Sequence, residues 1–345
     1  MKAIRVRETG GPEVLRVETV DDPIPGPGQA LVRVEATGLC RSDWHGWQGH
    51  DTDIRLPHVP GHEFAGEITA VGTGVRDWRV GDRVTTPFVC ACGTCPACLA
   101  GDQQVCHRQE QPGFTYPGSF ADLVVVPHAQ TNLVRLSDRV GYAAAATLGC
   151  RFATAFRAVV AQGRVRPGEW VAVHGCGGVG LSAVMIAVAA GARVVAVDVS
   201  AEALELARRF GAEATVDARN PAAPAVRELT GGGAHVSLDA LGSQATLTAS
   251  IEGLRRRGRH VQVGLLPAVT GRPTVPMELV VAFELEILGS HGMPAHAYRE
   301  LLPLVESGAL RPAELITGEL ALPDAPAALA AMDRPATAGI QVIVP

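Results

Sequence analysis

Along the first part of the chain, apolar and polar positions alternate in short runs. Lys2-Ala3-Ile4-Arg5-Val6-Arg7 and Ala30-Leu31-Val32-Arg33-Val34-Glu35-Ala36 are two of them, and turns such as Pro23-Ile24-Pro25-Gly26-Pro27-Gly28 stand between such runs. A period of two turns one face of each run toward a core, so strands are predicted, and the Pro/Gly turns predict an irregular β-rich domain with long loops. After Gly141 the chain becomes Ala-rich and helix-favouring, and from Glu169 strand-like and helix-like segments alternate. Strands are expected at 169–174, 193–197, 236–239, 260–264 and 286–289. Helices are expected at 179–190 and 201–210, the second capped by Ser200 and followed by Gly211. Strands in this number with helices between them fit a doubly wound parallel sheet, which makes this an α/β chain. The tail from 298 to 345 reads as a helix, Pro/Ala-rich connections and a closing strand at 339–344, free to return to the first domain.

The 345 residues suggest two domains, because single cores rarely grow beyond about 250 to 300 residues. Charged residues make up 19% of the chain and the net charge is −5. With no basic tract, nucleic acid is not expected as a partner. The most apolar segment, 179–199, is broken by Gly191 and Arg193, so no membrane span is expected. The N-terminus lacks the long apolar core of a signal peptide, which makes a cytoplasmic protein the expectation. In that compartment eight cysteines point to metal ligands and free thiols rather than disulfides.

Cys92-x-x-Cys95-x-x-Cys98, followed after a longer gap by Cys106, is the most specific motif. Four thiolates that can converge on one ion leave no open position, the signature of a structural zinc. An iron–sulfur cluster is the rival, but the bacterial ferredoxin run needs its fourth cysteine closer and followed by proline. Cys90 reads as a spare thiol, or as a ligand able to swap in.

Gly175-Cys176-Gly177-Gly178-Val179-Gly180 follows a predicted strand and opens a predicted helix, and Asp198 ends the next strand. Glycines permit the tight turn and a close approach of backbone to a pyrophosphate, whose charge sits at the positive end of the helix. Asp198 can accept hydrogen bonds from the adenosine ribose and would repel a 2′-phosphate, and Val199-Ser200-Ala201 offer no cation to attract one. NAD(H) is favoured over NADP(H). Cys176 reads as an unreactive small residue.

Cys40-Arg41-Ser42-Asp43-Trp44-His45 and Pro60-Gly61-His62-Glu63 place thiol, imidazole and carboxylate groups in one short stretch whose glycines and prolines suit turns. Catalytic zinc keeps three protein ligands and one open position, so the stretch needs a further donor from elsewhere; Cys150 is the leading candidate.

Together these residues resemble the zinc-dependent medium-chain alcohol dehydrogenases over essentially the whole chain. The Cys-x-Ser-Asp-x-His start, the Gly-His-Glu, the four-cysteine lobe, the later cysteine and the Gly-x-Gly-Gly-x-Gly stand in family order. The resemblance implies a GroES-like catalytic domain at 1–150, completed by 291–345, and a Rossmann NAD-binding domain at 151–290. It also implies two zinc ions per subunit, one catalytic and one structural, and a homo-oligomer, tetramer ahead of dimer. Carried over by position, Cys40, His62 and Cys150 match the catalytic zinc ligands. Glu63 matches a carboxylate beside the metal that can ligate transiently, and Asp43 a partner that orients the zinc histidine. Ser42 matches the hydroxyl that takes the substrate's proton, and His45 the outer end of a relay to solvent. Arg41 matches a residue that pairs with the cofactor pyrophosphate, Thr154 a position near the nicotinamide, and Trp47, Phe88 and Phe114 positions lining an apolar pocket. In one departure, Gly339 is followed by Ile340 where the family often places an arginine that reaches the pyrophosphate.

The implied activity is reversible oxidation of primary or secondary alcohols to aldehydes or ketones with NAD. A polyol or amino-alcohol dehydrogenase is the rival within the superfamily, disfavoured because the sorbitol branch tends to carry Glu where this chain has Cys150. A non-catalytic NAD-binding sensor or scaffold is the alternative of a different class.

Overall fold

The computed structural model of the chain describes residues 1–266, 272–332 and 338–345. The 333–337 part of the expected Pro/Ala-rich connection lies outside the described residues.

Seven strands form the first sheet. Six follow the order Ile316–Ala321, Ile340–Val344, Ala30–Leu39, Phe64–Val71, Arg83–Thr85 and Val134–Arg135, and Leu123–Val126 also pairs with Ala30–Leu39. The long strand Ala30–Leu39 is almost wholly buried because it is covered on both sides by partners. Ile340–Val344 joins it antiparallel, with Gln341 opposite Leu39 and Val342 opposite Gly38, so the end of the chain returns to the sheet begun near its start. Ile340, Val342 and Ile343 are fully buried there, which is why an apolar closing run belongs to this sheet.

The second sheet is parallel and six-stranded. Its order is Ala214–Asp217, Arg193–Asp198, Trp170–His174, Ala234–Asp239, Leu254–Gln262 and Glu286–Gly289. Numbered along the chain these strands stand in the order 3-2-1-4-5-6, that of the doubly wound dinucleotide-binding sheet. The direction reverses between Trp170–His174 and Ala234–Asp239, and the crevice at their carboxyl ends is where ligands bind in such sheets. Ser200 caps Ala201–Arg209 by accepting from the backbone N–H of Ala203 at 3.2 Å. The two sheets share a core: Ala36, Ala65 and Val342 of the first belong to the same buried cluster as Val171, Val236 and Leu238 of the second. Phe152 belongs to the same cluster, and Tyr298 ties in by donating to the Leu148 carbonyl at 2.7 Å.

Three local expectations change. The stretch after Cys40 is a helix, Arg41–Trp47, not a turn, because Asp43 reaches back to accept from the Cys40 backbone N–H at 3.1 Å and satisfies its first turn. The strand expected at 260–264 begins at Leu254, six residues earlier. Its first part carries exposed Arg255, Arg256 and Arg257, which hide the apolar pattern. The strand Ala214–Asp217 had no predicted position at all; it is a short, half-buried edge strand. No helix of the described residues is long and apolar enough to cross a membrane.

Candidate active site and metal centres

Cys40 closes the strand Ala30–Leu39 and caps Arg41–Trp47, while Cys150 precedes the helix Arg151–Arg157. His62 follows Gly61, whose φ of +102° only glycine adopts without strain; a Cβ there would sit 2.6 Å from the backbone nitrogen of Phe120. These turns bring the ligating atoms of Cys40, His62 and Cys150 within 4.8 Å of one another. The Asp43 carboxylate can only accept, so Nδ1 of His62 donates to it, at 2.9 Å. The backbone N–H of Gly61 donates to the same oxygen at 3.0 Å. Nε2, the ring's other nitrogen, is buried and without a hydrogen-bond partner among the described residues. Burial opposes the ring's charge, but Asp43 and then Cys40 outweigh it and raise the pKa well above the usual imidazole value, so a metal ion would take the place of a proton there. The two thiols titrate apart. The hydrogen bond from Cys150 holds Cys40 well below the usual thiol range, with the Arg151 charge in support, while the same bond and burial push Cys150 well above it. Two sulfurs and one ring nitrogen therefore face a common point.

Glu63 is buried but does not join this cluster. Both its oxygens are taken by Arg151, whose Nε donates at 2.9 and 3.0 Å, whose backbone N–H donates at 2.7 Å and whose Nη2 donates as well. The expected transient ligand is thus one half of a buried ion pair. Burial opposes the charge of Arg151, but Glu63 and then Cys40 outweigh it and raise its pKa further. Arg151 escaped the reading of the sequence. The signal was available: a cation that opens the apolar run Arg-Phe-Ala-Thr-Ala-Phe, directly after a candidate metal ligand, needs a buried partner.

Phe114 and Phe88 present edges to the His62 ring, with centroids at 5.3 and 6.3 Å. Trp47 instead packs in a separate core cluster with Ile4, Val6, Leu39 and Phe120. Ser42 is half-buried on Arg41–Trp47, with no side-chain hydrogen bond among the described residues. His45 faces His50, the two Nδ1 atoms 2.9 Å apart, so one ring donates and the other accepts. Arg41 lies 4.0 Å over the Trp44 ring and donates to the Met332 carbonyl. Those contacts occupy it away from the glycine-rich turn, to which no hydrogen bond joins it among the described residues.

The glycine-rich turn runs from the strand Trp170–His174 into the helix Gly178–Ala189. Gly175 has a φ of +89°, and a Cβ on Gly180 would land 1.7 Å from the Gly175 carbonyl oxygen, so the helix packs on the turn only if both are glycine. Gly177 caps the helix, and a Cβ there would meet nothing within 4 Å. Gly178 lies against the Arg151 side chain, and Val179 is half-buried on the next position. Asp198 accepts from the backbone N–H of Cys176 at 2.6 Å and of Ser200 at 2.8 Å, which fixes its carboxylate at the strand end. Thr154 carries a buried hydroxyl on Arg151–Arg157 that has no partner among the described residues. Cys176 is buried, and burial pushes its thiol up, in line with an inert residue.

Cys92, Cys95, Cys98 and Cys106 form a second cluster with sulfur separations such as 3.4 Å for Cys95–Cys98 and 3.8 Å for Cys95–Cys106. The backbone N–H groups of Cys92 and Arg108 each donate to Cys106 Sγ at 3.3 Å, and Arg108 Nη2 donates to Cys92 Sγ at 3.4 Å. Hydrogen bonds from Thr94 and Arg108 pull Cys92 down to about 5. Cys90 stands apart beside the Tyr116 hydroxyl at 3.4 Å, its pKa pushed up to about 11 by burial, as befits a spare thiol.

Comparison with known proteins agrees with these sites. The family model described as "Alcohol dehydrogenase GroES-like domain" matches residues 26–138, and that described as "Zinc-binding dehydrogenase" matches residues 178–307. An alcohol dehydrogenase of Geobacillus stearothermophilus is 37% identical over 84% of each chain. The chain belongs to the zinc-dependent medium-chain alcohol dehydrogenase family. An NAD-dependent alcohol dehydrogenase of Sulfurisphaera tokodaii is 33% identical over 100% of both chains. The crystal structure of an alcohol dehydrogenase from the archaeon Aeropyrum pernix superposes with a TM-score of 0.90, at 33% identity and 100% coverage of each chain.

Both donor sets suit the family's metal. Cys40, His62 and Cys150 supply two thiols and the orphaned Nε2, a three-ligand set that leaves a fourth position open. The four-cysteine lobe closes all four positions. Its N–H···S bonds are those a thiolate set attracts.

Proposed function

We propose that the protein is an NAD-dependent alcohol dehydrogenase that interconverts apolar primary or secondary alcohols with aldehydes or ketones. The observation that carries this reading is the unpartnered Nε2 of His62 beside two thiols, next to a glycine-rich turn built for a dinucleotide. Bound here, zinc supplies Lewis acidity toward the substrate oxygen and NAD⁺ supplies the hydride-accepting nicotinamide. Cys40 and Cys150, as thiolates, balance the charge of a divalent cation, and Asp43 keeps the His62 ring turned so that Nε2 is the ligand. Ser42 takes the hydroxyl proton, and His45, hydrogen-bonded to His50, passes it outward. Phe88 and Phe114 form apolar walls beside His62, which favours hydrocarbon substituents over polyols. Asp198 takes the adenosine ribose hydroxyls, and Thr154 packs at the nicotinamide. Oxidation of the alcohol then releases the carbonyl product, NADH and one proton.

We assign the catalytic domain to 1–150 with 291–345 and the cofactor domain to 151–290, in a cytoplasmic homo-oligomer. The test is NADH consumption with a panel of aldehydes, ketones and keto-sugars, run beside zinc analysis. Turnover of simple carbonyls by protein carrying two zincs per chain is expected. Turnover confined to keto-sugars would support a polyol dehydrogenase, and NADH binding without any turnover a sensor.

A further inference from the structure

The Arg151 guanidinium has two edges with different surroundings. Nε and Nη2 face Glu63 and spend their hydrogens on its carboxylate. Nη1 makes no hydrogen bond among the described residues and is not one of the fully buried unpartnered atoms, so the 8% exposure of this side chain leaves that edge open to a ligand. Free donors on a largely buried guanidinium, reachable from one side, suit a charge-assisted bond to an anion. Its position is fixed by what lies next to it. A Cβ built on Gly178 would fall 2.6 Å from Arg151 Cδ and 3.4 Å from Nη1, so this edge lies against the first residue of the helix Gly178–Ala189. The idle donors therefore sit at the helix end whose backbone N–H groups and dipole favour an anion.

Among the described residues, the two other positions expected to meet a diphosphate do not fill this role. Arg41 is occupied by Met332 and Trp44, and the closing strand brings the buried, uncharged Ile340.

We propose that Arg151 binds the dinucleotide diphosphate through Nη1 while its opposite edge holds Glu63 beside the Cys40–His62–Cys150 cluster. One side chain thus joins the cofactor's anionic centre to the metal centre. The inference rests on the dinucleotide-binding reading above. It also explains why Gly178 is glycine: any side chain there would displace the arginine.

The test measures equilibrium binding of ADP-ribose and NADH to the zinc-loaded protein, with adenosine as a competitor that lacks phosphate. Removing Arg151 alone strands a buried carboxylate, so the informative variants are R151K and the double substitution E63Q/R151Q, which removes both charges. Both are expected to bind ADP-ribose and NADH about 10- to 100-fold more weakly, the value of a charge-assisted contact. Adenosine affinity should stay within about twofold, because each 1.4 kcal/mol is tenfold and no phosphate contact is lost. ADP-ribose affinity in E63Q/R151Q close to that of the parent would overturn the assignment while leaving dinucleotide binding intact. A parent protein that binds neither ADP-ribose nor NADH would overturn both.

Discussion

His62 donates from Nδ1 to Asp43 Oδ1 at 2.9 Å, and the same carboxylate also accepts from the backbone N–H groups of Gly61 and Cys40. One buried acid thus holds two of the three residues of the Cys40–His62–Cys150 cluster. Asp43→Asn keeps the shape but removes the negative charge and offers a donor where an acceptor is required. Zinc affinity at the Cys40–His62–Cys150 site should fall about 10- to 100-fold, the usual cost of losing such a partner. The four-cysteine lobe should keep its ion. Competition with a chromophoric chelator resolves the two sites, and undiminished affinity at both would show that Asp43 does not orient the ligand.

The four-cysteine lobe contains only short helical pieces, Pro96–Leu99 and Gln103–Val105, and its buried cluster is made of Ala91 and the four cysteines themselves. A segment with so little apolar surface depends on metal for its order. Cys106→Ser removes the sulfur that accepts from both Cys92 and Arg108. The variant should carry one zinc per chain rather than two, and trypsin should cut at Arg108 well before the rest of the molecule. Unchanged zinc content and an intact lobe would mean that Cys106 is not a ligand.

What could be read in the sequence was whatever depends on local spacing. The glycine-rich turn declared itself because its strand and helix are adjacent in the chain, and the cysteine lobe because its thiols are near neighbours. Contacts between distant segments stayed hidden. Glu63 pairs with Arg151 across 88 residues, so the carboxylate read as a neighbour of the metal while its partner went unseen. Trp47 shows a different limit. An aromatic on Arg41–Trp47 has the same pattern whether it faces a substrate or the cluster around Phe120, and here it faces the cluster. The edge strand Ala214–Asp217 lacked a signal because a half-buried edge needs no apolar run.

The glycines of the turn differ in what they tolerate, and this separates packing from cofactor approach. Gly180→Ala drives a methyl group into the Gly175 carbonyl, backbone against which no rotamer can adjust, so stability should fall by about 1–3 kcal/mol or more. Gly177→Ala meets open space and an ordinary φ of −77°, so stability should hold within about 0.5 kcal/mol. Its methyl group would nevertheless stand where a diphosphate approaches, so NADH affinity should drop in a protein of normal thermal midpoint. Equal NADH binding by Gly177→Ala and the parent would place the dinucleotide elsewhere.

His174, at the carboxyl end of the strand Trp170–His174, is buried with no hydrogen bond at Nε2 among the described residues, and burial pushes it down to about 4. His58 and His260 are shifted the same way by the same cause. Because the folded pKa lies below the unfolded value of about 6.5, the unfolded chain takes up the proton first as pH falls. The stability associated with neutral His174 is complete above about pH 6.5 and is lost progressively down to about pH 4. At 1.36 kcal/mol per unit, the loss reaches about 2 kcal/mol by pH 5. His174→Gln stays neutral throughout and should lose about that much less than the parent when denaturation midpoints at pH 7.5 and pH 5 are compared. Protonation of the zinc ligands affects both proteins alike, so the difference isolates His174, and identical acid losses would mean that this ring takes up its proton in the fold at the same pH as in the unfolded chain.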